Sequence, residues 1–147
     1  MALAAREGAD AQDDNVAAAL LRARDTEPGD VLDAAALLFV CPENLAAMSG
    51  EMKEFFDRCY YPVLGKVEGK PFATAIAAGS DGENATRQID RIATGWRLRR
   101  VADPLICNFG AQTPEDIMAQ KTLSPADRKA CFDLGAALAA GTAMGVF

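Results

Sequence analysis

Two short stretches hold residue types at spacings that could border a ligand. The first is Pro42, Glu43, Asn44, Leu45, Ala46, Ala47 and Met48, which follows the apolar run AAALLFVC at residues 34–41. The second is Gly79, Ser80, Asp81, Gly82 and Glu83, which follows PFATAIAA at residues 71–78. If both runs are strands, each turn lies at a strand's carboxyl end, where open α/β sheets collect their ligands. The alternative is that they only connect strand to helix, as many such loops do. The sequence contains no histidine, which removes the commonest metal ligand and the usual general base together. Its four cysteines, Cys41, Cys59, Cys107 and Cys131, form no CxxC pair. Metal catalysis and Cys–His or Ser–His chemistry are therefore not expected, and the thiols read as buried and reduced in a cytoplasmic protein.

The elements that must hold those turns follow from periodicity. Eight apolar residues without alternation, Ala34 to Cys41, suit a central strand covered on both faces. After the turn, Met48, Met52, Phe55, Phe56 and Cys59 fall at helical spacing, and Ser49 stands where an N-cap belongs. Residues 60–70 contain Pro62, Gly65 and Gly69 and read as a surface connection. Pro71 to Ala78 forms the next strand, and Ser80 or Asp81 is expected to cap a helix to Thr94, with Gly95 as its stop.

Upstream, residues 1–9 read as a short helix closed by Gly8, and residues 25–33 as a turn with one helical turn near Gly29 to Ala34. Residues 15–23, with Val16 to Leu21 as their apolar centre, have strand length and are expected to form a strand, although their Ala and Leu content suits a helix equally. Downstream, residues 98–107 make a last strand, kept to an edge by Pro104. Thr113-Pro114 and Ser124-Pro125 each start a helix, to about Lys121 and through Ala140. The last helix would bury Cys131, Leu134, Leu138 and Gly141, with Gly135 and Ala139 allowing close approach to a sheet. This alternation implies a parallel sheet with helices on both faces.

The 147 residues fit one domain, residues 1–147, without an internal repeat. Fifteen basic against twenty-one acidic residues leave a net charge of −6, which argues against nucleic acid as a partner. Five arginines between Arg87 and Arg100 are interspersed with apolar residues and read as a solvated helix face and the start of a strand. No export signal or membrane-length apolar run is present in the sequence, so no membrane partner is expected.

The segment CPENLAAMSGEMKEFFDR resembles the second flavin loop and following helix of the flavodoxin-like NAD(P)H-dependent FMN reductases and quinone reductases. Pro42, Met48, Ser49, Gly50, Lys53, Phe55 or Phe56, Asp57 and Arg58 carry that likeness, and AAGSDGEN is similar to the family's third flavin loop. The resemblance implies a flavodoxin-like three-layer α/β/α sandwich, FMN bordered by residues 42–48 and 79–83, and NAD(P)H as co-substrate. It also implies a quinone or similar small redox substrate. Small residues such as Ala46, Ala47, Gly79 and Gly82 would let backbone amides lie close to a flat ring.

Three departures accompany the likeness. Asn44 and Leu45 stand where the family carries an aromatic residue, and Ala47 where it carries Asn. The sequence also begins inside what resembles the family's first helix, so the central first strand and its phosphate loop are missing from this chain. Residues 16–21 and 34–41 would then flank a gap one strand wide. Three closures are conceivable: the given sequence starts late, which is favoured here, the two strands pair directly, or a symmetric partner supplies a strand. If the fold begins at Met1, FMN is expected to bind weakly or not at all. The alternative function is a cofactor-free module acting by association, as a homodimer or higher homo-oligomer.

Overall fold

The computed structural model describes residues 1–12 and 16–147. Helix α1 (Ala2–Asp10) leads through residues 16–22, which have no regular structure, to a 3-10 turn at Ala23–Asp25 and helix α2 (Pro28–Asp33). Then come β1 (Leu37–Asn44), β2 (Ala47–Met48), α3 (Gly50–Val63), β3 (Pro71–Ala78) and α4 (Glu83–Gly95). The chain ends with β4 (Arg99–Arg100), β5 (Leu105–Asn108), α5 (Pro114–Met118) and α6 (Pro125–Ala143). β1 and β3 pair in parallel from Leu37↔Phe72 to Pro42↔Ala77. β4 and β5 both pair with β3, one along each half, so they act as one edge strand broken at Pro104.

β3 is buried along nearly its whole length because both its faces are covered. On one face Phe72 and Ile76 join Phe39, Met52, Phe55, Phe56, Ile89 and Trp96 in the main core. The rings of Phe39 and Phe56 lie 5.0 Å apart, and Phe56 meets Trp96 edge-on at 5.3 Å. On the other face a smaller cluster joins Ala4, Cys107 and Cys131, with Met1, Leu105 and Leu123 against it. This is the three-layer flavodoxin-like arrangement expected from the sequence.

Helices α1 and α6 touch backbone to backbone. A Cβ on Gly8 would stand 2.0 Å from the Phe132 carbonyl oxygen, and one on Gly135 1.9 Å from that of Ala5. Gly8 is thus an interior packing residue and not a helix stop, since α1 runs on to Asp10. Gly135 approaches a helix and not the sheet. The buried residues of α6 are Cys131, Gly135, Ala139 and Gly141, while Leu134 and Leu138 are half-buried. All four cysteines are free and buried. Burial first, then neighbouring Cys131, pushes the Cys107 thiol up to about 12, so it stays protonated.

Several boundaries move. β1 begins at Leu37 and continues through Pro42 to Asn44. α3 extends to Val63 with Pro62 in its last turn, so Tyr60 to Val63 is helix rather than surface connection. Residues 16–21 form no strand, and Asn15 of that expected strand lies outside the described residues. Direct pairing of residues 16–21 with β1 is therefore overturned: β1 pairs only with β2 and β3 among the described residues. A run of Ala and Leu carries no directional preference of its own, and without a paired neighbour it has no ladder to join. The Ser49, Thr113 and Ser124 caps form as expected, each accepting from the backbone N–H three residues on.

Candidate functional site

The first turn is a tight hairpin rather than an open loop. Glu43↔Met48 and Asn44↔Ala47 pair antiparallel, and Ser49 N donates to the Pro42 carbonyl at 3.1 Å. Leu45 and Ala46 form the two-residue tip, with φ of 51° and 58°. Positive φ at both central positions is the type I′ geometry, which strongly favours Asn-Gly because other residues are strained there. Leu45 is nonetheless fully exposed, at 102%. Replacing Leu45 by Asn and Ala46 by Gly is expected to raise stability by about 1 kcal/mol or more. A higher urea midpoint at unchanged slope would show it.

The second turn ends on Gly82, whose φ of 95° puts it in the left-handed region at the start of α4. A Cβ there would also stand 2.6 Å from Ile106 Cγ2, so both conformation and space require glycine. Neither Ser80 nor Asp81 caps α4: Gly82 is the N-cap, and Asp81 Oδ1 only accepts a 3.4 Å bond from Glu83 N.

Three hydrogen bonds tie the hairpin to the second turn and to α4. Gly82 N donates to Glu43 Oε2 at 2.7 Å, Met48 N donates to Gln88 Oε1 at 3.0 Å, and Asn84 Nδ2 donates to the Ala46 carbonyl. Pro42, Glu43, Asn44 and Gly79 consequently line one cleft of about 520 Å³ at the carboxyl ends of β1 and β3. Ala77, Ala78, Phe109 and Ala111 add apolar wall. Burial raises the Cys41 thiol at this wall, with the Ser49 backbone opposing, so it too is a neutral surface. The other Oε of Glu43, Oε1, is buried and without a hydrogen-bond partner in the described structure.

The remaining sequence candidates are spread around this cleft. Leu45 and Ala46 sit exposed at the hairpin tip, and Ser80, Asp81 and Glu83 are exposed beside Gly82, which is buried. Ala47 and Met48 line a separate open groove on the far side, with Lys53, Gln88, Arg91 and Ile92.

Sequence reasoning missed a third turn, at residues 108–111. Asn108 Nδ2 donates to the Ser80 carbonyl at 2.6 Å, and Ala111 N donates to that of Gly79 at 2.7 Å, so this turn buttresses the second. The signal was Asn-Phe-Gly directly after the last strand, a turn-forming run at a third strand's carboxyl end. Lys121 was missed as well. It is a cation on the cleft, but its Nζ donates to the carbonyls of Asp116, Ile117 and Ala119, closing the short helix α5.

These residues fit a flat, largely apolar ring with polar edges. The walls are small or apolar, and the partnerless Glu43 Oε1 is an acceptor for a ring N–H. They fit a phosphate poorly, because Lys121, among the described residues the one lysine or arginine lining the cleft, is already engaged by backbone carbonyls.

Fold and cleft together define a flavodoxin-like α/β protein. The chain matches the NADPH-dependent FMN reductase family over residues 29–106, which span both turns, and belongs to that family. At family level it is a flavin-associated oxidoreductase. No curated protein sequence matches it. Among solved structures it is similar to a flavodoxin from the domain Archaea, with 17% identity, 96% of this chain and 87% of that chain covered, and a TM-score of 0.74. A WrbA-like flavodoxin from Agrobacterium tumefaciens is 22% identical, over 97% of this chain and 87% of that one, with a TM-score of 0.65. An NADPH-quinone reductase from P. pentosaceus is 13% identical, over 91% and 86%, with a TM-score of 0.60. At these identities the likenesses establish the fold.

Proposed function

We propose that this protein holds FMN in the cleft lined by Pro42, Glu43, Asn44 and Gly79 and passes electrons from NAD(P)H to a quinone or similar small acceptor. The observation that carries the reading is the Glu43–Gly82 hydrogen bond, which locks both turns onto one apolar cleft. The flavin, when bound, supplies the redox chemistry, accepting hydride from the nicotinamide and returning electrons to the acceptor. The chain's own part is positioning. With a flavin bound, Pro42 and Gly79 would border the ring, Glu43 Oε1 would accept from its polar edge, and the buried wall around Ala78 and Cys41 would exclude water. Arg91, on the groove beyond Met48, is an exposed cation suited to the nicotinamide's phosphate.

Free thiols at all four cysteines support a cytoplasmic setting. Among the described residues no helix is long and apolar enough to cross a membrane. The acidic balance supports small molecules rather than nucleic acid as partners.

The engaged Lys121 favours a second reading, a cofactor-free module acting by homo-oligomeric association. Flavin fluorescence separates the two. On the first reading, FMN quenches saturably, and riboflavin binds within about threefold of it, because a gripped phosphate would add charge-assisted bonds of about 1.5–3 kcal/mol each. A preparation that quenches neither ligand sinks the first reading in favour of the second.

A further inference from the structure

The broken edge strand and the last helix meet at two thiols. Cys107 lies in β5 and Cys131 in α6, and both are fully buried. With Ala4 they are the buried members of the smaller core cluster, whereas Cys41 and Cys59 belong to the main core. The Cys131 thiol lies close enough to hydrogen-bond that of Cys107, and Met1, Leu105, Phe109 and Leu123 pack around the pair. One small side chain on each element would fill this space equally well. What the pair adds is two soft donors in one place.

What such a pair can hold is limited by its surroundings. Among the described residues no three His, Cys, Asp or Glu side chains are grouped to hold a metal ion. Zinc, which takes four ligands, is therefore poorly served. The ions left are those content with two sulfurs in line, the soft closed-shell ions such as mercuric, silver and cuprous. Charge chooses among them. Two thiolates around a monovalent ion leave one negative charge in an apolar cluster, whereas two around a divalent ion leave none, and burying an unpaired charge is costly. We propose that Cys107 and Cys131 form a two-coordinate site for a soft divalent cation of the mercuric class. On binding, both S–H bonds break, two sulfur–metal bonds form and two protons leave to water, with no electron transferred. The way in is from the cleft, because Phe109 and Leu123 both line it and pack against the thiols. This inference is independent of flavin binding.

The test adds mercuric chloride to the full chain, isotope-labelled at the cysteine β carbons, with glutathione present as a competing monothiol and the carbons followed by NMR. At one equivalent the Cys107 and Cys131 resonances should shift together while those of Cys41 and Cys59 stay, and the titration should end there. Cys131→Ala leaves a single thiol and should weaken retention of the ion about a hundredfold or more. A Cys41→Ala/Cys59→Ala double variant keeps the pair and should match the parent. Zinc chloride at the same ratio should shift none of the four. A shift at only one of the pair, at Cys41 or Cys59 instead, or at none overturns the proposal, and zinc moving the pair as far as mercury does shows that the site is not two-coordinate. Loss of the near-ultraviolet signal of Trp96, the single tryptophan, overturns it as well, because the ion then unfolds the chain instead of entering a preformed site.

Discussion

Gly135→Ala is expected to destabilise the protein, although alanine is the better helix former by about 1 kcal/mol. The added methyl would stand 1.9 Å from the Ala5 carbonyl oxygen and 2.6 Å from its carbon, both backbone atoms that no rotamer change can move aside. The helices α1 and α6 must separate, and overpacking of this kind costs about 3 kcal/mol. The net loss of about 2 kcal/mol corresponds to a fall of roughly 4–8 °C in the thermal midpoint for a chain of this size. Gly95→Ala is the matched control. It lies in the last turn of α4 with nothing within 4 Å of the new methyl, so the same substitution should be neutral or stabilising. A thermal midpoint for Gly135→Ala at or above the parent's would show that α1 and α6 are not in backbone contact.

Glu43→Ala is expected to damage stability and ligand binding together. It strands the Gly82 N–H, which is part-buried, at a cost of about 1.5–3 kcal/mol, and releases the second turn from the first. Gly82 itself cannot compensate, because its left-handed φ is fixed by the start of α4. Glu43→Gln keeps an oxygen for Gly82, so it should unfold within about 1 kcal/mol of the parent. FMN affinity should fall about tenfold or more in the alanine variant, the equivalent of about 1.4 kcal/mol, and less in the glutamine one. Urea unfolding and flavin quenching on both variants measure the two effects separately. If Glu43→Ala unfolds at the parent's midpoint, the bridge is not what joins the turns.

The two candidate turns were legible as turns because their signals are local. A fully apolar run, a Ser cap and helical spacing of Met52, Phe55, Phe56 and Cys59 marked strand, turn and helix in that order, and β1 and α3 follow them. The small residues of Gly79 to Glu83 likewise marked the second turn. What they could not show is which atoms bind the turns to each other. Glu43 and Gly82 are 39 residues apart, and Asn108 and Ser80 are 28 apart. Such pairs have no periodicity to read.

The expected strand at residues 16–21 failed for a related reason. Ala and Leu fit helix and strand alike, so a neighbouring strand must decide between them, and no such neighbour is described here. Gly135 shows the same limit in a helix. Its missing side chain announced a close approach, but only the packed chain identified α1, rather than the sheet, as the element approached.

By itself, then, the sequence determined the alternation of elements, the apolar character of β1 and β3, and the two turns at their ends, because burial pattern and turn chemistry are written in neighbouring residues. Only the tertiary structure decided that the two turns share a cleft, that Lys121 is taken by α5, and that residues 16–21 do not pair with β1. Each of those depends on hydrogen-bond partners brought together from distant parts of the chain.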